Sequence, residues 1–153
     1  MPLHRFFVPK GLYSPEDKTA LSAVITRLYT SRPISLPAFY VVVLFIEIEP
    51  GNMIVGGDVS RRMVRIAVEH VARNFNSSDA QKRLFMSRYA NALKPFTNDR
   101  GIDWEVQVTD CDRLLWNLNG MHPPESNTEE ERIWKRENRA VSFEEMEAFK
   151  ARL

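Results

Sequence analysis

A chain of 153 residues suits one domain with an ordinary core, or two very small units sharing one core. Its 21 Lys and Arg against 20 Asp and Glu leave a net charge of +1, which excludes the uncompensated basic surface that nucleic acids require and points to small ligands or protein partners. The longest apolar run, residues 38–46, is too short to span a bilayer, the N-terminus lacks a signal-peptide pattern, and the single Cys111 permits no internal disulfide, so a cytoplasmic protein is expected.

The chain opens Met1-Pro2. If Met1 is removed, Pro2 carries a free secondary amine, unlike every other proline nitrogen, and an exposed N-terminal amine titrates near pH ~7.7–8.0, where it can act as base or acid. Leu3 to Val8 then reads as a strand ended by Pro9-Lys10-Gly11. Ser14-Pro15-Glu16-Asp17 supplies an N-cap, a first-turn proline and acids. Ala20, Leu21, Val24, Ile25 and Leu28 follow at helical spacing, and the helix should end near Ser31-Arg32-Pro33. Residues 39–46 are β-branched and aromatic without polar alternation, which predicts a central strand buried on both faces.

The pattern then repeats. Residues 63–71 predict a strand with Val64, Ile66 and Val68 on one face. Ser77 or Ser78 can cap a helix over 79–94, with Ala80, Leu84, Phe85, Ala92 and Leu93 as its apolar face and Pro95 as its stop. Asn76-Ser77-Ser78 matches the glycosylation triplet by chance. Trp104, Val106 and Val108 alternate as a half-buried strand. Two β-α-β units in tandem predict an α/β (α+β) fold, a four-stranded sheet with two helices on one face. The expected division is 2–57, 58–118 and a C-terminal extension, 119–153, within one domain. In the extension Asn119-Gly120 marks a turn, Thr128 to Glu137 a helix with a solvated charged face, and Ser142-Phe143-Glu144-Glu145 a capping box.

A proline-headed β-α-β unit that is then duplicated resembles the tautomerase superfamily, whose members use an N-terminal proline as the acid–base group. Ile25-Thr26-Arg27-Leu28-Tyr29, Leu36-Pro37-Ala38-Phe39-Tyr40, Val55-Gly56-Gly57, His70-Val71-Ala72-Arg73, Trp104-Glu105, Trp116, Pro123-Pro124 and Trp134 are similar in order and spacing to fungal-type relatives of cis-3-chloroacrylic acid dehalogenase. The resemblance covers nearly the whole chain. It implies a homotrimer, a small carboxylic-acid substrate, Pro2 as the catalytic residue and Arg73 as the arginine holding the substrate carboxylate. This chain departs from the characterised dehalogenase in three places: Tyr29 stands where a histidine is used, Val106 where a tyrosine is used, and Asn117 or Leu118 where a glutamate activates water.

Burial and the Arg73 charge would both favour a neutral Pro2 amine, suited to moving a proton alpha to a carbonyl. Hydrolytic dehalogenation needs a carboxylate base, and the candidates are Glu105 and Asp110. Tyr29 is either a catalytic phenol or a core residue, His70 a second polar group or a structural histidine, and Trp116 a core residue or pocket wall. Tyr40 reads as packing, and Cys111, flanked by Asp110 and Asp112, is an unpromising nucleophile. No His, Cys or carboxylate spacing resembles a metal site, and no glycine-rich phosphate loop is present, so no metal or cofactor is expected. Keto–enol tautomerisation ranks above dehalogenation, hydration or decarboxylation, and a non-catalytic trimeric binding protein is the reading from another class.

Overall fold

Alternation along the first strand decides which way the sheet faces. A computed structural model describes residues 2–75 and 78–150; Met1 and the Asn76-Ser77 pair lie outside the described residues, and with them Ser77 as a cap and the fate of the initiator methionine. Strand β1 (Leu3–Pro9) buries His4, Phe6 and Val8 and leaves the residues between them half-buried, as a pleat with one covered face requires. Helix α1 (Pro15–Thr30) follows. Ser14 and Asp17 form a reciprocal capping box at 3.1 and 3.2 Å, and Leu21, Ile25 and Tyr29 supply the buried stripe. Strand β2 (Val42–Ile48) returns parallel to β1.

A small hairpin of β3 (Ile54–Val55) and β4 (Asp58–Val59) leads into β5 (Met63–His70), which pairs antiparallel with β1 and buries Val64, Ile66, Val68 and His70. Helix α2 (Asp79–Leu93), capped by Ser78, then crosses to β6 (Asp103–Asp110), parallel to β5. The sheet order is β2-β1-β5-β6, with α1 and α2 packed on each other over the buried face. The predicted tandem architecture is therefore the one observed.

Two local expectations are corrected. The apolar run at 39–46 is not a central strand: Ala38–Tyr40 forms a 3-10 turn, and β2 is an edge strand with Leu44 44% exposed. Continuous hydrophobicity there reflects an edge that another surface can cover rather than two covered faces. On α2 the buried residues are Phe85, Tyr89 and Leu93, while Leu84 is 52% exposed.

The extension is built as its turn residues demand. Asn119 and Gly120 take φ 52° and 79°, as a type I′ turn requires, and Leu118 and Met121 exchange backbone hydrogen bonds across it. Helices α3 (Glu129–Glu137) and α4 (Phe143–Lys150) follow, the latter opened by a Ser142–Glu145 capping box. The charged face expected of α3 is not wholly solvated. Glu131 is 5% exposed and lies beside the buried Ile133 and Trp134, whose indole N–H donates to the Val141 carbonyl at 2.9 Å.

Within the core, His4 is fully buried with Nδ1 2.9 Å from the Tyr89 hydroxyl. Burial, reinforced by the neighbouring His70 charge, pushes it down to about 3. The folded state keeps His4 neutral while the unfolded chain protonates it below its ordinary 6.5, so stability is full above that value and is lost as pH falls towards about 3. Urea unfolding at pH 7 and at lower pH should show wild-type stability falling by up to about 1.4 kcal/mol per pH unit from this group. His4→Gln should flatten that slope, and equal slopes in the two proteins would overturn the assignment.

Candidate active site

Pro2 is buried at the head of β1, and its carbonyl accepts the Val42 N–H at 3.0 Å. Leu3 faces Val42 on one side and Glu69 on the other, so one step along the register Pro2 lies between Val41 and His70. Both Pro2 and His70 share the parity of His4 and so belong to the helix-covered face. Across the next strand pair stands Asp110, its carboxylate 3.7 Å from His70 Nδ1 and accepting the Phe75 N–H at 3.2 Å. His70 is 3% exposed, stacked on Phe75 at 4.7 Å and tilted against Tyr29 at 5.8 Å. Burial lowers its pKa, opposed by the Asp110 charge. Tyr29 brings a fully buried phenol with no hydrogen-bond partner among the described residues, and burial pushes its pKa up.

A second group gathers at the same end of the sheet. Arg73 donates from Nη2 to Glu131 Oε2 at 2.9 Å and from Nη1 to Ser126 Oγ at 2.7 Å and the Ala72 carbonyl at 3.1 Å. Three of its five N–H donors are thereby engaged, so the free anchor expected from the sequence is instead an ion-paired group with two donors left among the described residues. Glu131 owes its place to Thr128. The threonine caps α3 by accepting the Glu131 N–H, which sets the carboxylate in the first turn, where exposed backbone N–H groups favour it. Oε2 also accepts the Asn127 N–H at 2.8 Å, while Oε1 is buried without a hydrogen bond among the described residues.

Arg113 lies beside this pair. It donates to the carbonyls of Ala72, Pro123 and Pro124 and covers the Trp116 ring at 5.5 Å, and its buried Nε makes no hydrogen bond among the described residues but lies 3.7 Å from Glu125 Oε2. Tyr40 meets Trp116 edge-on at 4.9 Å. Its pKa is raised by burial and by the Glu131 charge, against the opposing charges of Arg113 and Arg73.

The fold thus brings Pro2, Tyr29, His70, Arg73, Asp110 and Trp116 to one end. Glu105 is not among them. It pairs with Arg65 at 3.1 Å, five residues back along β6 from Asp110 and on the other side of the sheet. Arg113, Glu131 and Tyr40 were not expected in the site. For Glu131 a signal was present, since Thr128-x-x-Glu131 is an N-terminal capping pattern that holds a carboxylate at a fixed position.

A cavity of about 440 Å³ opens beside this group, lined by the apolar Pro33, Ile34, Phe75, Leu84 and Phe85 and by the polar His70, Arg73, Gln81 and Arg88. A wider hollow of about 720 Å³ lies near Val55, Asp58 and Arg61, before the start of β5 and so at the opposite end from His70.

Residues 1–139 match the family model described as "Putative oxalocrotonate tautomerase enzyme". The chain belongs to this family. Among solved structures, two share this chain's fold at substantial identity. RhCC from Rhodococcus jostii RHA1 is 35% identical over 92% of this chain and 99% of its own, with a TM-score of 0.88. A probable enzyme from the thermophilic fungus Aspergillus fumigatus is 40% identical over 94% of this chain and 98% of its own, with a TM-score of 0.86. N1, a member of the cis-3-chloroacrylic acid dehalogenase family, shares the fold at 19% identity, covering 89% of this chain and 97% of its own, with a TM-score of 0.65. No curated protein matches. No helix among the described residues is long and apolar enough to cross a membrane.

The Arg73–Glu131 pair ties the extension to this end of the sheet. Removing one partner of a buried pair leaves the other charge uncompensated, so Glu131→Gln should destabilise the fold by about 3 kcal/mol in urea unfolding. Ser126→Ala should cost about 1 kcal/mol. An unchanged midpoint for E131Q would mean that the pair behaves as a screened surface contact.

Proposed function

We propose that the chain is an acid–base enzyme in which Pro2, with Met1 removed, moves a proton within a small carboxylate-bearing carbonyl compound or unsaturated acid, keto–enol tautomerisation being the principal reaction. The observation that carries this reading is the burial of Pro2 opposite His70, at the sheet end that also collects Arg73. Family membership supports it.

Burial and the nearby guanidinium groups favour a neutral secondary amine. In the keto-to-enol direction that nitrogen takes the proton alpha to the carbonyl, and the C–H electron pair becomes the C=C bond. The ring ammonium then delivers the proton to the carbonyl oxygen, so no atom is gained or lost. The two unengaged N–H groups of Arg73 hold the substrate carboxylate through charge-assisted bonds. Tyr29 offers its unpaired hydroxyl to the carbonyl oxygen, and Asp110 orients His70 beside the reacting carbon.

Hydration or hydrolytic dehalogenation of a 3-substituted acrylic acid is the second reading. It is favoured by Asp110, a carboxylate at the same end of the sheet with only partial engagement by His70 and the Phe75 N–H. A homotrimer is proposed as the assembled form, since the β2 edge and the exposed Leu44, Ile54, Val55 and Val59 present surface that neighbouring copies can cover. A cytoplasmic location fits the lone unpaired Cys111.

Intact mass should lack the methionine, and phenylpyruvate enol–keto conversion should fall about 100-fold or more in Pro2→Ala with the fold retained. Arg73→Ala should raise KM about tenfold or more. A retained Met1 or an undiminished P2A rate would sink the mechanism and favour a non-catalytic trimeric scaffold. An unaltered KM would show that another group, Arg113 foremost, anchors the carboxylate.

A further inference from the structure

Arg73 stands between two environments. It lines the cavity beside His70, whereas Ser126 and Glu131, which bond its guanidinium, are not among the described residues of that lining. Nη1 gives both of its hydrogens away, to Ser126 Oγ at 2.7 Å and the Ala72 carbonyl at 3.1 Å, and Nη2 gives one to Glu131 Oε2 at 2.9 Å. Among the described residues the N–H groups left over are therefore one on Nε and one on Nη2. Those two nitrogens are spaced as the two oxygens of a carboxylate are, which is the geometry of a bidentate pair. Which donors stay free is decided by acceptors that are themselves fixed. Glu131 Oε2 also takes the N–H of Asn127, a residue at φ 67°, and the Thr128 cap sets Glu131 in the first turn of α3. An arginine without such supports has to be ordered by the incoming ligand, at a cost of about threefold to tenfold in affinity.

We infer that Ser126 and Glu131 are positioning residues for Arg73: they hold the guanidinium from behind and leave its Nε and Nη2 donors for a carboxylate in the cavity, which makes the C-terminal extension part of the substrate-binding machinery. This role rests on the acid–base reading above, in which Arg73 anchors the substrate, and deepens it. It also reverses the expectation from charge alone. A carboxylate beside Arg73 should weaken anion binding by repulsion, whereas a positioning carboxylate strengthens it.

Titration calorimetry with benzoate and its neutral isostere benzamide isolates the carboxylate contribution, because a loosened fold weakens both probes alike while misdirected donors weaken benzoate alone. The native protein should prefer benzoate about tenfold or more, and Arg73→Ala should erase the preference. Ser126→Ala and Glu131→Leu should each shrink it about threefold or more, and Ser126→Thr, which keeps the hydroxyl, should retain it. Circular dichroism identifies the folded variants, and the two Ser126 variants decide the matter if Glu131→Leu does not fold. An unchanged preference in a folded Ser126→Ala or Glu131→Leu protein overturns the role of that residue. A Glu131→Leu protein that prefers benzoate more strongly overturns it too, since Glu131 would then compete for Arg73 rather than support it. A native protein without any preference overturns the inference together with Arg73 as anchor. Neither probe reacts, so a preference that behaves as expected in a protein without tautomerase activity overturns the catalytic reading alone.

Discussion

The antiparallel pairing of β1 with β5 is the constraint on which the rest depends. It joins two similar β-α-β units head to tail, and its register decides what stands beside the second residue of the chain. Because side chains alternate with period two, a slip of one residue would turn His4, Phe6 and Val8 out of the core and carry Pro2 to the uncovered face. The burial of those three side chains against α1 and α2 therefore fixes Pro2 opposite His70. Core packing and site geometry are one requirement here.

The C-terminal extension answers a problem that the sheet creates. Arg73 follows β5 directly and is largely buried, so its charge needs a partner. No strand supplies one, and Glu131 comes instead from a helix more than fifty residues later, its carboxylate pre-positioned by the Thr128 cap. The same segment brings Trp134 against Phe39 and the Asn138 side chain to the Phe39 N–H, which secures the turn bearing Tyr40. A stretch that reads as a charged surface helix thus orders two sides of the site.

The duplicated fold was legible because its signals are local. Ser14 and Ser78 begin the helices, Asn119-Gly120 turns the chain, and period-two burial marks β1, β5 and β6. The edge position of β2 was not legible, since an apolar run has the same appearance whether it is covered by its own chain or lies at a sheet margin. For the site, resemblance pointed to Pro2 and Arg73 and favoured Tyr29, whereas Asp110, like Glu105, was a candidate for its carboxylate alone; the fold places Pro2, Arg73, Tyr29 and Asp110 at one end. Glu105 shows the limit of that reasoning: the strand's alternation sends it outward to Arg65. Arg113 and Tyr40 were missed because their contacts join segments far apart in sequence, which no spacing encodes.

The distribution of unpaired polar atoms shows where stability has been given up. A buried donor or acceptor without a partner costs about 1–3 kcal/mol, and native interiors carry few of them. Among the described residues, buried side-chain atoms without a hydrogen bond belong to His4, Tyr29, Tyr40, His70, Arg113 and Glu131, those of His70 and Arg113 lying 3.7 Å from the Asp110 and Glu125 carboxylates. All six lie around the head of β1 or in the group joined to Arg73, whereas the open sheet face pairs Arg5 with Glu69 and Arg65 with Glu105. Chance burial would scatter unpaired groups along the sheet. Their concentration beside Pro2 is what a site requires if its donors and acceptors are held rigidly in place before a substrate reaches them, because such groups need no reorganisation when charge develops on the reacting oxygen. The same rigidity makes the cost local: the apolar side chains beneath, Phe6, Val8, Leu21, Ile25 and Leu93, carry no polar atom to leave unpaired and support that end of the sheet.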